Sequence, residues 1–477
     1  MTPQHFIQLR DLLGPLGFLE NAEDCARYSH GARYGQGRAA AVARPASHTA
    51  VQEVLRICAE FGQAIVVQGA NTGLVAASTP DATGTVLVLS LERLRNTIDI
   101  DVLNRSVRVD AGVTLHEINE ALAAHGLFFP IDLGANPSVG GMLAANTGGS
   151  RLIKYGDVRA NCLGLQVALM QPKGASLILD TALRKNNTGP DLKHLFIGSS
   201  GAYGVITQAQ LQVHRLPKQT ATALVIPKDQ AAVLTLLQTL EENCGDFLRA
   251  FEGISGNAFN AVLRHIPNVS NPFAPEAVPD YSVLIELTST TSKEQSGIDL
   301  EALLMNSLEA LFGDVVENAV IGRAADLWKI RHSISEAIRE DGKIIAFDIS
   351  VPRSSLLAFR CAAMQFVARE FPHLNVMDFG HWADGGFHFN LIWPHLCEQA
   401  YDPAQVQNLR DALYAMVVND FAGSFSAEHG VGPYNLAYYQ KYASATAQKI
   451  AGQWQLQFDP QRLLGLTWFG EKPTQAS

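Results

Sequence analysis

The stretch SVGGMLAANTGG, residues 138–149, holds four glycines and no charged side chain. Glycine lets backbone N–H groups ring an anion at close range, and small neighbours leave room for a pyrophosphate. Two more stretches of the same kind frame it. QGANTGLV (68–75) follows an apolar run, and GSSGAYGVIT (198–207) follows further on. None fits GxGxxG, so a Rossmann dinucleotide site is not supported. One such stretch alone reads as a turn. Three in order within one half of a chain read as a surface built to take an anionic ligand.

The patterns around them give an α+β organisation. A short amphipathic helix opens the chain and a Gly/Arg-rich loop runs to about residue 45. From 44 to 217 helical and strand patterns alternate. Residues 51–61 and 115–125 have helical spacing, the second closed by Gly126, while 64–67, 86–89 and 107–109 read as buried strands. Composition changes at Pro217. Beyond it, 222–226, 282–287, 344–351 and 375–379 read as strands, and 229–242, 299–311 and 324–340 as helices. That mixture predicts an α+β domain with an antiparallel sheet. After Gly430 the chain is mostly helical to about 456.

With 477 residues, 47% hydrophobic and 17% charged, the chain has the make-up of a globular protein of two or three domains. A net charge of −10 argues against nucleic acid or an anionic membrane as the main partner. The six cysteines are scattered with no CxxC pair, which suits free thiols in a reducing compartment. No apolar run has signal-peptide or membrane-spanning length, so the expected location is cytoplasmic.

The second half carries the chemistry. GHWADGGFHFN (380–390) spaces His381 and His388 seven apart. On a continuous strand they would face opposite ways, and on a helix they would lie roughly 10 Å apart along the axis. Asp384-Gly385-Gly386 breaks either element and can fold the chain back, so that the imidazoles converge. Glu428 or His429, in Ser426-Ala427-Glu428-His429-Gly430, would complete a site for a divalent ion. The plainer alternative is two half-buried histidines and a polar loop.

Taken together, these motifs resemble those of the FAD-linked D-2-hydroxyacid dehydrogenases, which include D-2-hydroxyglutarate, D-lactate and glycolate-type enzymes. Their FAD-binding domain is of the vanillyl-alcohol-oxidase/PCMH type. The resemblance runs from about residue 44 to about 435. The family's RGGGTGL appears as QGANTGL, its GGxxAxNxGG as residues 140–149, and its GSEGTLGIIT as GSSGAYGVIT, with Ser200 at the glutamate. Its GHxGDGNxHxN appears as GHWADGGFHFN, and its AEHG is intact at 427–430.

The resemblance implies an α+β protein in three segments. A two-subdomain FAD-binding domain would occupy 1–217 and a substrate-binding cap with an antiparallel sheet 218–424. The C-terminal helices of 425–477 would return to the flavin domain. FAD would meet Gly69, Ala70, Asn71, Thr72, Gly73 and Leu74 of the first loop. It would also meet Ser138, Gly140, Gly141, Asn146, Thr147 and Gly148 of the second. Its adenine and isoalloxazine ends would contact Pro130, Leu133, Gly134, Gly201, Gly204 and Ile206. The first loop has no histidine or cysteine, so the FAD is expected to be non-covalent. His381, His388 and Glu428 would hold a divalent metal, Zn²⁺ first, with Mn²⁺ or Co²⁺ as alternatives.

For the reaction, the resemblance implies oxidation of a D-2-hydroxyacid to the 2-oxoacid. A chelated cation would lower the hydroxyl pKa, and His429 would take the proton, since an imidazole with an ordinary pKa of about 6.5 suits that role. Arg331 and Ser335, four apart on one helix face, would read the substrate carboxylate, and Asn390 would orient the substrate. Electrons would pass to an unidentified non-NAD acceptor: an electron-transferring flavoprotein, a quinone, a cytochrome or oxygen. Family habit makes a homodimer the expected oligomer.

The chain also departs from the pattern. Ala346 stands where the resembled 2-hydroxyglutarate enzymes carry a lysine, which shifts weight toward lactate, another monocarboxylate or an unrelated D-2-hydroxyacid, though Arg331 could still serve a dicarboxylate. Ala383 and Gly386 alter the metal loop, and LLGLTWFGEK (463–472) replaces an NPxK-type ending. Two other classes remain open on the sequence alone. One is a metal-dependent hydrolase, which leaves the glycine stretches without a purpose. The other is a catalytically silent flavin subunit of an electron-transfer complex, which leaves the histidines without one.

Overall fold

The computed structural model describes residues 3–471, so Lys472 of the altered C-terminal run lies outside the described residues. The first lobe is a four-stranded sheet. Ala41–Ala43, Leu87–Ser90 and Ile65–Gln68 run parallel at its centre, and Phe18–Leu19 pairs antiparallel at one edge. Helix His48–Phe61 packs its apolar stripe (Val51, Val54, Leu55, Cys58) on this sheet. Ser47 caps its start by accepting from the Ala50 N–H at 3.2 Å, and Gly62 ends it at φ 67°. The cap satisfies one orphan donor, and only a residue at ease in the left-handed region closes the helix so tightly.

The second lobe is a five-stranded antiparallel sheet in the order Ile98–Asp101, Ser106–Asp110, Val205–Gln212, Cys162–Ala168, Ser176–Leu179. Helix Leu115–Ala123, opened by a capping box between Thr114 and Glu117, covers it. The glycine-rich stretch at 138–149 is not all loop. Residues Val139–Ala145 make two turns of helix, with Ser138 Oγ accepting from the Gly141 N–H at 3.3 Å.

Past Pro217 the chain builds a seven-stranded, wholly antiparallel sheet. Its order is Val316–Gly322, Gln219–Pro227, Tyr281–Ser289, Leu248–Ser255, Phe379–His381, Gly386–His388, Asp348–Ser350. Helices Ala232–Cys244 and Leu300–Glu309 cover one face, and Gly256–His265 and Ala324–Ala337 the other. The inner strands Tyr281–Ser289 and Leu248–Ser255 are buried on both faces, which is why 282–287 reads as a nearly continuous apolar run and not an alternating one.

Two runs expected as single strands are split. Residues 344–351 form Gly342–Ile345 in a small three-stranded sheet and Asp348–Ser350 in the large one, and 375–379 divides likewise at Met377-Asp378. An apolar run records burial, and burial continues while the chain crosses from one sheet to the next. The crossing points carry the polar side chains that need partners: Asp378 accepts two bonds from Arg360, at 2.6 and 3.2 Å. Beyond Gly430, helices Leu436–Tyr442 and Ala445–Phe458 lead to Leu463–Gly465, which pairs with Ile65 of the first lobe.

Candidate active site

One cavity of about 720 Å³ lies where the two lobes, the large sheet and the C-terminal segment meet. That volume is in the range of sites that enclose a cofactor or substrate. Its first wall is main chain. Gln68 donates to the carbonyls of Tyr28 (3.0 Å) and Ser78 (2.8 Å) and so pins the start of the first glycine loop. Asn71, at φ 56°, donates to the His30 carbonyl at 2.6 Å and accepts from Ser78 at 2.9 Å. A Cβ at Gly69 would sit 2.1 Å from Ser138 Oγ, so the first and second loops meet only because position 69 lacks one.

Gly69 to Leu74, Leu133, Gly134, Ser138, Gly140, Gly141, Thr147, Gly201, Gly204 and Ile206 all line this cavity. Three expected contacts do not. Pro130 is buried behind the wall. Asn146 caps the short helix at φ 52°, donates to Asp157 (2.8 Å) and accepts from the Arg159 N–H (3.0 Å), so it shapes the loop from behind. A Cβ on buried Gly148 would lie 3.2 Å from Glu428 Oε2, so this glycine makes room for the acid. Ser200, in place of the resembled glutamate, donates to the Val431 carbonyl at 2.6 Å and ties the third stretch to the C-terminal segment. The wall fits a flavin dinucleotide: it offers backbone amides, and no side chain closes the space in front of Gly73 or Gly201.

The opposite wall is made of titratable side chains. Trp382 to Gly385 turn the chain so that His381 pairs with Gly386 and His388 with Phe379, which sets both imidazoles on one face with ring centroids 5.5 Å apart. Gly385 is at φ 85°, and a Cβ there would lie 2.3 Å from the Val351 carbonyl, so only glycine closes this turn. Each histidine has an acid directly across the next strand: Glu252 opposite His381, and Asp348 opposite His388. Glu252 is fully buried. One of its oxygens lies 2.5 Å from His381 Nδ1 and the other accepts from Arg331 Nε at 2.7 Å.

Asp348 organises the C-terminal motif. Its Oδ2 accepts the backbone N–H groups of Glu428 (3.1 Å) and His429 (2.8 Å) and lies 3.4 Å from His429 Nδ1. Its Oδ1 has no hydrogen-bond partner and stands 3.8 Å from His388 Nδ1. His388 Nε2 is 3.5 Å from Glu428 Oε1. Asp348, His388, Glu428 and His429 each offer a ligand atom within 4.8 Å of the others. Of the three ligands expected from the sequence, His388 and Glu428 belong to this group. His381 stands beside it, Nδ1 engaged by Glu252.

The electrostatics separate the two histidines. Burial opposes charge on His381, but Glu252 outweighs it and raises the imidazole to about 9. His388 is held well below the ordinary range by burial, then by the positive charges of His381, Arg331, His429 and Arg33. It is therefore a neutral ring with lone pairs to give, whereas a cation at His381 would have to displace the proton that Glu252 holds on that ring. Arg331 stacks over Phe379 at 4.6 Å, with Ser335 one turn further along the cavity wall. Asn390 also lines the cavity, buried, its backbone carbonyl accepting from Met377 at 2.8 Å. Near the first wall, Asp132 accepts from Ser150 at 2.7 Å and faces His332 at 3.3 Å.

Glu252, Asp348, Arg33 and Asp132 were not among the expected site residues. The first two had a signal: each is a lone acid inside an apolar strand run, AFEGI and AFDIS, where an unpaired charge costs several kcal/mol by order of magnitude.

Comparison with known proteins agrees with this geometry. Residues 39–178 match the FAD binding domain family and residues 216–465 the C-terminal domain of FAD linked oxidases. The chain is 32% identical over 413 residues to the D-2-hydroxyglutarate dehydrogenase of Xanthomonas citri pv. viticola, covering 86% of this chain and 84% of that one. It is 32% identical over 394 residues to the mitochondrial D-2-hydroxyglutarate dehydrogenase of Arabidopsis thaliana, covering 81% and 67%. In fold it is similar to p-cresol methylhydroxylase with substrate bound, at TM-score 0.75 and 15% identity over 98% of this chain and 96% of that one. An alkyldihydroxyacetonephosphate synthase superposes at TM-score 0.74 and 14% identity over 99% and 85%.

Several relatives are named as mitochondrial, a compartment other than the cytoplasm expected from the sequence. Among the described residues no helix is long and apolar enough to cross a membrane. A PCMH-type α+β fold, a glycine-lined flavin cradle and matches spanning both halves lead to one conclusion. The chain belongs to the FAD-linked oxidases and is an FAD-linked D-2-hydroxyacid dehydrogenase, an oxidoreductase acting on a CH–OH group.

Proposed function

We propose that the protein oxidises a D-2-hydroxyacid of the 2-hydroxyglutarate type to the 2-oxoacid, with metal-assisted removal of the hydroxyl proton. The observation that carries this reading is one continuous cavity with the glycine cradle at one end and the acid–imidazole cluster at the other. Non-covalent FAD, held by the loops at 69–74 and 138–149, supplies the hydride acceptor. A divalent cation, Zn²⁺ with Mn²⁺ or Co²⁺ as alternatives, supplies charge that favours the alkoxide form of the substrate.

The chain's own residues do the rest. His381, His388 and Glu428 would be the ligand set, His381 giving up its proton on binding, with Asp348 Oδ1 as a fourth ligand atom within reach. Glu252 fixes the His381 ring through Nδ1 and leaves Nε2 to face the site, the arrangement by which carboxylates orient metal-bound imidazoles. Asp348, beside His429 Nδ1, leaves His429 Nε2 as the face that takes the substrate hydroxyl proton. Arg331 keeps guanidinium N–H groups beyond the one given to Glu252, and these bind the C1 carboxylate with Ser335. Asn390 orients the hydroxyl. Electrons leave to a non-NAD acceptor such as an electron-transferring flavoprotein, a quinone or a cytochrome. The segments 1–217, 218–424 and 425–477 act as flavin domain, cap and returning tail.

Chelation tests the metal. Treatment with a strong divalent chelator should slow anaerobic flavin reduction by substrate while the FAD stays bound. Reduction that is insensitive to chelation would make the histidines structural and remove the metal from the mechanism.

A further inference from the structure

Ala346 and Phe347 bring no charge to the cavity wall, yet that wall is not poor in cations. Arg33 and Arg339 both line it. Arg33 comes from the N-terminal Gly/Arg-rich loop, and its position is built, not incidental. His30 and Gln36 form an antiparallel bridge at the loop's base, and the Gly31 N–H donates to the Gly35 carbonyl at 2.9 Å. Asn71 of the flavin loop holds the His30 carbonyl. The Tyr34 ring stacks on Tyr434 of the C-terminal segment, centroids 3.6 Å apart and planes within 10°.

Held this way, Arg33 has no carboxylate partner among the described residues. Its Nε is buried without a hydrogen bond, and among the described residues neither Arg33 nor Arg339 makes an ion pair or a side-chain hydrogen bond. The two guanidiniums are close enough that Arg339 adds to the burial that weakens the charged form of Arg33. Asp348 is the acid whose field reaches Arg33, and it is already shared among two backbone amides and two imidazoles. Glu336 and Glu340 also line this wall, but they are exposed to solvent and make no ion pair with either arginine. A buried donor facing a like charge costs free energy until an anion lies between them.

We propose that Arg33 and Arg339 form a carboxylate subsite that reads the distal carboxylate of a D-2-hydroxy dicarboxylate. The proposal deepens the oxidation reading and rests on it for the placement of the C1 carboxylate at Arg331. A monocarboxylate such as lactate leaves Arg33 Nε unsatisfied; a dicarboxylate supplies two further oxygens to the pair.

The experiment compares the holoprotein with Arg33→Gln, Arg33→Lys and Arg339→Gln in two assays. The first is calorimetric titration with 2-oxoglutarate and with pyruvate; the second is anaerobic flavin reduction by D-2-hydroxyglutarate and by D-lactate. The wild type should favour the dicarboxylate in both. Arg33→Gln should cut that preference about thirtyfold, Arg33→Lys should restore part of it, and Arg339→Gln should cut it less. An unchanged preference in both glutamine variants, or a wild type that favours pyruvate and lactate, overturns the subsite. Selective dicarboxylate binding lost in Arg33→Gln, together with no flavin reduction by any 2-hydroxyacid, keeps the subsite and overturns the oxidation reading. Arg339 is exposed, so its variant keeps the test open if Arg33→Gln does not fold.

Discussion

Along the first wall of the cavity the protein presents main chain: Gly69, Gly140 and Gly201, with Asn71 and Ser138 bracing the loops from the side. At the opposite wall it presents His381, His388, Glu428 and His429, with Glu252 and Asp348 buried behind them. The first wall is made by close approach and costs the fold little, because backbone amides carry no net charge to desolvate. The second is held by cross-strand acid–imidazole pairs, whose burial is repaid only if every partner stays in place. The two ends should therefore break differently: the cofactor end through shape, the substrate end through charge.

The largest effect is expected where the charge wall meets the chemistry. His429→Ala should slow flavin reduction by substrate about a thousandfold while leaving FAD bound, since the base touches substrate and not cofactor. Stopped-flow absorbance on the flavin band checks this, and an unchanged rate would remove His429 from the reaction.

Glu252→Gln comes next. It keeps the shape of the side chain but removes the negative charge that raises His381 and engages Arg331. Metal affinity by calorimetry should fall about thirtyfold, with a higher KM for substrate from the loosened arginine. A purely structural role would lower the unfolding temperature and leave affinity per folded molecule alone.

On the shape wall, Gly69→Ala brings a Cβ to 2.1 Å from Ser138 Oγ, closer than any real contact, so one loop must shift. FAD affinity should drop about tenfold, in line with an overpacking cost of about 1–3 kcal/mol. Adding Ser138→Ala should recover part of it, which a charge-based account of this end does not predict.

The smallest effect sharpens the contrast from outside the cavity. His214, packed against Tyr155 in the second lobe, is pushed down to about 4 by burial and by Arg105 and Arg184. Its folded pKa lies below the unfolded value of about 6.5. The stability it gives is thus present above pH 6.5 and lost as pH falls through 4. After discounting for partial exposure this amounts to about 2 kcal/mol. His214→Asn should flatten the stability profile across that window, as measured by urea unfolding.

What could be read from the sequence follows the same division. The glycine loops are contiguous segments, so their composition announced a cradle. Even there the helix at Val139–Ala145 was hidden by its glycines, Asn146 braces the wall from behind, and Gly148 makes room for Glu428. The His381–His388 hairpin was legible because Gly385 can only be a turn. Glu252 showed only as a lone acid in an apolar run, since its role depends on strand Leu248–Ser255 lying beside Phe379–His381, more than a hundred residues away. Asp348 was masked by a run that reads as one strand and crosses between two sheets at its side. Arg33 sat in a stretch that composition alone described only as a loop.

The central claim is that one cavity joins the flavin cradle to the acid–imidazole cluster so that a D-2-hydroxyacid is oxidised between them. The most direct measurement is anaerobic stopped-flow absorbance of the holoprotein mixed with D- and with L-2-hydroxyglutarate. The account predicts bleaching of the flavin band by the D enantiomer alone. Equal bleaching by both enantiomers, or none by either while the protein stays yellow, would contradict it.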